Sequence, residues 1–453
     1  MVGRNKSVYT ELKREIPSLT LVKCVCHSIQ LAINHASKEC LPHGVEFLIY
    51  ETYNWFSKSS SRRLQYKQIF QLINDENAPL KIPRVSDTRW LSIEGTVSRI
   101  LQQWLEMKTH FGITSNSEKC HKAEILYEMY KDERNYLYLL FLRPILAELL
   151  ALNNSFQSNN TDPTKLLKDF AVVINSLKSK IISPDNDVDV ISIDFELYIN
   201  KSCYLGYNFE KKILEMKSSS GLTEESEKYI RTICTNFVVV LINQLKQRYN
   251  SNMHIYIRIN IKLFEKCYYC RLPDNFDTIK KVNMFSVGNV LRASHEEIED
   301  VLKHFNYSDD MIEKIIIQYN RINFVKWNNI SNTMQFWAEV QTYTDAGGNK
   351  LFSDLAEFAL HLLSLPWSNA DVERLFSQLN LVKTKLRNSI HLITINAILS
   401  IRYGLKRHNK CCTDYEIPRS YLKMIGTNKA YENQSIDYNN QSDDNLYKII
   451  NEL

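Results

Sequence analysis

The chain has 453 residues, 44% hydrophobic and 24% charged, which excludes a low-complexity polypeptide and leaves room for two or three compact units. No uninterrupted apolar run approaches the ~20 residues of a membrane span, and the basic start Met1-Val2-Gly3-Arg4-Asn5-Lys6 leads into no apolar signal core. A membrane or secreted protein is therefore not expected, and the ten cysteines should be mostly reduced thiols. The net charge of +5 permits an acidic partner such as DNA without requiring one.

Few glycines and prolines, with long stretches of helical periodicity, favour a mainly helical chain. Val8, Leu12 and Ile16 recur every fourth residue and predict a helix that Pro17 ends. Leu19 to Cys26 is nearly continuously apolar and predicts a buried strand; Ile29, Ile33 and Ala36 then mark the inner face of a helix. The αβα unit reads as part of a layered α/β domain, and a lone strand there carries an unpaired edge.

Helical patterning runs from about Val45 to Phe111, broken by a loop from Asp75 to Asp87 that holds Pro79 and Pro83. The block from Val85 to Ser92 opens the next helix, with Asp87 or Thr88 as N-cap. From about 118 to 350 the pattern is long helices with polar loops such as Asn153 to Pro163 and Ser183 to Val188. Within it Cys267-Tyr-Tyr-Cys270 has half the spacing of a zinc knuckle but no second pair nearby, so two packed cysteines are the expectation and no metal is assigned.

Leu362 to Gly404 is the most legible stretch. Ser368 and Asp371 form a capping-box pattern, and Val372, Leu375, Phe376 and Leu379 make a stripe at helical spacing. A second helix carries Ile395, Ile398, Leu399 and Tyr403. Lys383, Lys385 and Arg387 form a basic connector between them, a candidate for phosphate contact or a solvated link. Beyond about Lys410 the composition turns polar and a poorly ordered tail is expected.

Three blocks, taken together, resemble the hAT transposases and host proteins derived from them, including transposon-derived BED-type and MYM-type zinc-finger proteins. They are Cys24-Val-Cys-His27-Ser-Ile-Gln-Leu31, then Asp87-Thr-Arg-Trp90-Leu-Ser92, then Leu363-Ser-Leu-Pro-Trp-Ser368-Asn-Ala-Asp-Val-Glu373-Arg374-Leu-Phe376-Ser377 with its continuation through Arg387 and Asn388. The resemblance implies an RNase H-like fold split by a large helical insertion. On that basis the chain divides into a partial RNase H-like segment at 1–111, a helical insertion at 112–350, an RNase H-like and hAT dimerisation region at 351–408, and a polar tail at 409–453.

In that family two aspartates and a glutamate hold a pair of divalent metals roughly 3.5 to 4 Å apart for attack on a phosphodiester. The resemblance places the glutamate at Glu373 and both aspartates upstream of Met1, so Glu373 is expected to be a remnant insufficient alone; Asp87 reads as a cap. It also makes Trp90 a base-stacking candidate, with Arg89 and Arg374 beside phosphates. Trp90 packed in the interior and arginines in ion pairs are the plainer readings. Cys24 and His27 read as a packed thiol and a hydrogen-bonded imidazole, because two ligands do not complete a zinc tetrahedron.

The expectation is a non-catalytic, transposon-derived nuclear protein that self-associates through its C-terminal region and binds DNA weakly. No cofactor is expected, magnesium entering only with a complete transposase; neither is a membrane nor a small-molecule substrate. The alternatives are a fragment of an active transposase and a helical protein-interaction scaffold that does not touch nucleic acid.

Overall fold

The computed structural model describes residues 7–16, 24–75, 78–85, 90–118, 120–158, 161–186, 188–190, 195–200, 203–219, 221–249, 282–292, 297–305, 307–365 and 367–422. The first compact unit reaches Asn369 and the second begins at Ala370. Among the described residues the chain is predominantly helical with no strand; an antiparallel bridge between Thr344 and Lys350 is its nearest approach to sheet.

In the first unit α1 (Val8–Glu15) starts from a capping box in which the Ser7 hydroxyl accepts the Thr10 N–H. It is followed by α2 (Val25–Cys40), α3 (His43–Ser57), α4 (Ser60–Ile73), α5 (Glu94–Gln102), α6 (Trp104–Glu118) and α7 (His121–Lys131). Next come α8 (Glu133–Gln157), α9 (Leu166–Lys178), α10 (Tyr207–Ser218) and α11 (Glu224–Tyr249). The unit closes with α12 (Glu299–His304), α13 (Asp309–Arg321), α14 (Thr333–Thr342) and α15 (Ser353–Leu363).

The centre of this unit is α8, which packs against α2, α5, α9, α10 and α11. Leu137, Leu139, Phe141, Leu142, Ile145, Leu146 and Leu149 on it are fully buried. By length and composition alone α8 is long and apolar enough to cross a membrane, although Arg143 and Glu148 interrupt its apolar run. Here its apolar surface is covered by other helices. Each such side chain contributes ~1.5 to 3 kcal/mol of transfer free energy, which is why the longest apolar helix becomes the axis of the core.

On α2, Ile29, Ala32, Ile33 and Ala36 are fully buried at i, i+3, i+4 and i+7, and this face packs against α11, which buries Ile230, Cys234, Phe237, Val238 and Leu241. The two alanines leave room for the larger α11 side chains between the axes. Around α3, α4 and α6, a second part of the core is aromatic: Trp55, Phe56, Tyr66, His110 and Phe111 meet edge-on or tilted.

Two expectations change. Leu19 to Cys26 was expected as a strand, yet Val25 and Cys26 open α2, while residues 17–23 lie outside the described ones. A short apolar run fits a buried helix turn as well as a strand, and only its packing decides. The polar loop expected from Asn153 begins later, because α8 continues to Gln157 and buries Asn153 and Phe156. Cys267 and Cys270 lie outside the described residues, as do Asp87 and Thr88.

In the second unit α16 (Ala370–Val382) and α17 (Leu392–Arg407) form a helical hairpin joined by a 3-10 turn at Lys385–Arg387. Its core among the described residues is Val382, Ile395 and Leu399, flanked by half-buried Leu379, Ile390 and Ile398.

Candidate functional site

The sequence blocks at residues 24–31, 87–92 and 363–377 are far apart along the chain, and those of their described residues that belong to the first unit, up to Asn369, meet there. The Val25 N–H, one of the donors a helix start leaves without an intrahelical partner, donates to the Trp367 carbonyl at 3.1 Å. One residue on, Cys26 Sγ lies 3.6 Å from Ser368 Oγ and 3.7 Å from the Asn153 carbonyl of α8. The Asn369 N–H reaches Cys24 Sγ at 3.4 Å. The middle block joins through Gln30, whose Oε1 accepts the Leu91 N–H at 2.9 Å, and Leu91 and Ile93 are buried beside it. The blocks thus form one structural knot at the start of α2.

Within that knot Cys24 is the half-buried N-cap of α2 and His27 is exposed in its first turn, so the pair marks a helix start rather than the expected strand end. The Ser368 hydroxyl is placed against Cys26, and α16 begins at Ala370. The side chain of Trp90, the base-stacking candidate, and Arg89, a phosphate-contact candidate, lie outside the described residues.

The hairpin presents a different surface. At 100° per residue the stripe Val372, Leu375, Phe376 and Leu379 occupies one side of α16. Its C-terminal end is covered, with Leu379 half-buried and Val382 in the core, while Val372, Leu375 and Phe376 stay exposed, Phe376 at 57%. On α17, Ile395 and Leu399 point into the core and Ile398 and Tyr403 are half-buried, whereas Ile393 and Ile401 lie on the far side and are exposed. Leu386 in the connector is 97% exposed. So many large apolar side chains left in water on one small hairpin mark a surface made to be covered.

Residues 317–405 match the hAT family C-terminal dimerisation region. This match to the C-terminal part of the chain supports a hAT-transposase-derived protein. The match runs from α13 through α17, so the hAT region includes the last helices of the first unit and the whole exposed hairpin, and it makes this a protein capable of dimerising. No curated protein matched the chain.

Charged residues of the hAT region are mostly in solvent. Arg374 Nη2 pairs with Asp371 Oδ1 at 2.6 Å, one turn along α16. Glu373 is exposed in the first turn of the same helix, and Lys383, Lys385 and Arg387 are exposed in the connector. No group of three or more His, Cys, Asp or Glu suited to a metal ion occurs among the described residues. An exposed glutamate without convergent carboxylates does not fit a two-metal centre, and no cleavage step follows from the described residues. The meeting of Cys26 with Ser368 escaped sequence reasoning because nothing in two residues 342 positions apart signals contact; the motif content of both blocks was the available hint.

Proposed function

We propose that this hAT-derived chain works as a dimer formed through the exposed apolar faces of α16 and α17, and that the 453-residue polypeptide does not cut DNA by itself. The observation that carries the reading is the exposure of Val372, Phe376, Leu381, Leu392, Ile393 and Ile401 inside the matched dimerisation region. Light scattering after size exclusion should give twice the monomer mass for the wild type. The double variant Phe376→Asp with Ile401→Asp should give the monomer, with helix content unchanged by circular dichroism. A wild type that stays monomeric at high concentration refutes the proposal.

We further propose a nuclear setting and weak, sequence-independent DNA contact through Arg374, Lys383, Lys385 and Arg387, with Arg89 and Trp90 as further candidates. An RNase H-like origin for the segments around the helical middle belongs to the same reading. Support comes from the exposed basic connector and from descent from a DNA-handling family. Electrophoretic mobility shift across a salt series should show affinity falling steeply as salt rises. Absence of binding at low salt favours the scaffold alternative. Magnesium-dependent nicking of transposon-end DNA that Glu373→Gln abolishes would overturn the non-catalytic reading and restore the transposase alternative.

A further inference from the structure

Two thiols meet at the knot where α2 begins. Cys24 caps the helix without a side-chain hydrogen bond to its first turn, and its sulfur is approached by the Asn369 N–H at 3.4 Å. Cys26, two residues on, is buried and held by Ser368 Oγ and the Asn153 carbonyl, so the two sulfurs contact consecutive residues, Ser368 and Asn369. The half-buried sulfur thus faces a backbone donor, and the buried one lies two residues on with its thiol on the Asn153 carbonyl. Two residues that contribute carbonyls to this knot each carry a buried polar atom with no protein partner, Asn153 Oδ1 and Trp367 Nε1.

We propose that Cys24 and Cys26 form a peroxide-reactive dithiol in which Cys24 is the nucleophile and Cys26 the resolving thiol. The Cys24 thiolate attacks one oxygen of a hydroperoxide; the O–O bond breaks, an S–O bond forms, and hydroxide or alkoxide leaves with the electron pair. Cys26 sulfur then attacks the Cys24 sulfenic sulfur, an S–S bond forms, the S–O bond breaks, and the Cys26 proton leaves with the hydroxyl group as water. The two sulfurs lose two electrons and the peroxide gains them. A dithiol reductant reverses the product.

The charge distribution agrees with this division of labour. Hydrogen bonding from the Cys26 thiol lowers the Cys24 pKa to about 6 against the opposing effect of burial, with help from the Asn369, His27 and Cys26 N–H groups. The same contact raises Cys26, and burial raises it further, so the pair is poised as one thiolate and one thiol. Other described cysteines lack this arrangement: Cys203 and Cys234 are buried, and Cys411 and Cys412 are exposed on the surface.

The test uses the full chain. At pH 6.5 a thiol of pKa about 6 is roughly three-quarters thiolate. Brief alkylation with iodoacetamide, mapped by peptide mass spectrometry, should therefore label Cys24 at least ~10-fold faster than Cys411 or Cys412 despite their greater exposure. Hydrogen peroxide should yield the Cys24–Cys26 disulfide. In Cys26→Ser a dimedone adduct should appear at Cys24, and in Cys24→Ser none at Cys26. Cys24 labelling slower than at the exposed cysteines, or peroxide oxidising those first, overturns the proposal even if neither variant folds.

Discussion

Acid should weaken the first unit through a single imidazole. His110 is fully buried, and its Nε2 accepts the Trp55 Nε1–H at 3.1 Å, so the neutral ring carries its proton on Nδ1, an atom without a partner. Phe56, Tyr66 and Phe111 surround it at ring separations of 5.3, 5.5 and 5.3 Å, and the Arg62 guanidinium lies 3.5 Å above the Trp55 ring. Burial first, and Arg62 second, lower its pKa from 6.5 to about 4. The unfolded chain then binds this proton below pH 6.5 and the folded chain not until about pH 4, so stability falls as pH drops through that window and levels off below it. The span of 6.5 − 4 pH units corresponds to at most ~3 kcal/mol. Urea denaturation followed by tryptophan fluorescence from pH 7.5 to 4 measures it, with His110→Gln as the control, since glutamine offers Trp55 an acceptor that does not titrate. Carboxylates titrate in both proteins, so the difference between the two curves isolates the histidine. A difference that stays constant within ~0.5 kcal/mol across the range refutes the argument.

Arg231 should be the costliest surface-proximal charge to remove. It reaches Glu210 at 2.5 Å, Glu227 at 2.8 Å and the Cys203 carbonyl at 3.3 Å, and Glu210 in turn accepts the Leu205 N–H at 3.0 Å. Arg231→Ala should lose ~2 to 4 kcal/mol in a urea titration, and Arg231→Lys should recover part of it, because an ammonium does not reproduce the forked contact. Phe141, fully buried between Phe209 and Phe237, should cost ~3 to 5 kcal/mol as Phe141→Ala by the same measurement. In a mobility-shift salt series, replacing Lys383, Lys385 and Arg387 by alanine should reduce the slope of log affinity against log salt by up to about 3, and an unchanged slope removes the connector from the DNA contact.

Much of the helical architecture was legible because helix faces follow a simple period: Ile29, Ile33 and Ala36 were marked as an inner face and are fully buried. At the described end of the strand expected from Leu19 to Cys26, Val25 and Cys26 open a helix instead, because a short, nearly continuous apolar run carries no period with which to choose. Asn153 was misread as loop because its polarity outweighs its place near the end of an apolar helix; burial at 3% shows the helix winning. For the hairpin, the sequence marked one stripe and the fold divides it, covering Leu379 and leaving Phe376 in solvent. That division depends on where α17 lies, which a pattern on α16 alone does not contain. The link between Cys24 and Asn369 was invisible for the same reason, since loop-closed contacts leave no local trace.

The hairpin's modest interior makes abundance a structural variable. Helices of 13 and 16 residues are marginal alone in water, and within the hairpin three buried side chains hold them together. In the proposed dimer, folding of that element and pairing with a second copy are close to one equilibrium, from which each tenfold dilution removes ~1.4 kcal/mol. A cell could therefore set how much of the protein has a formed C-terminal surface simply through expression level, with the helical body around α8 indifferent to dosage.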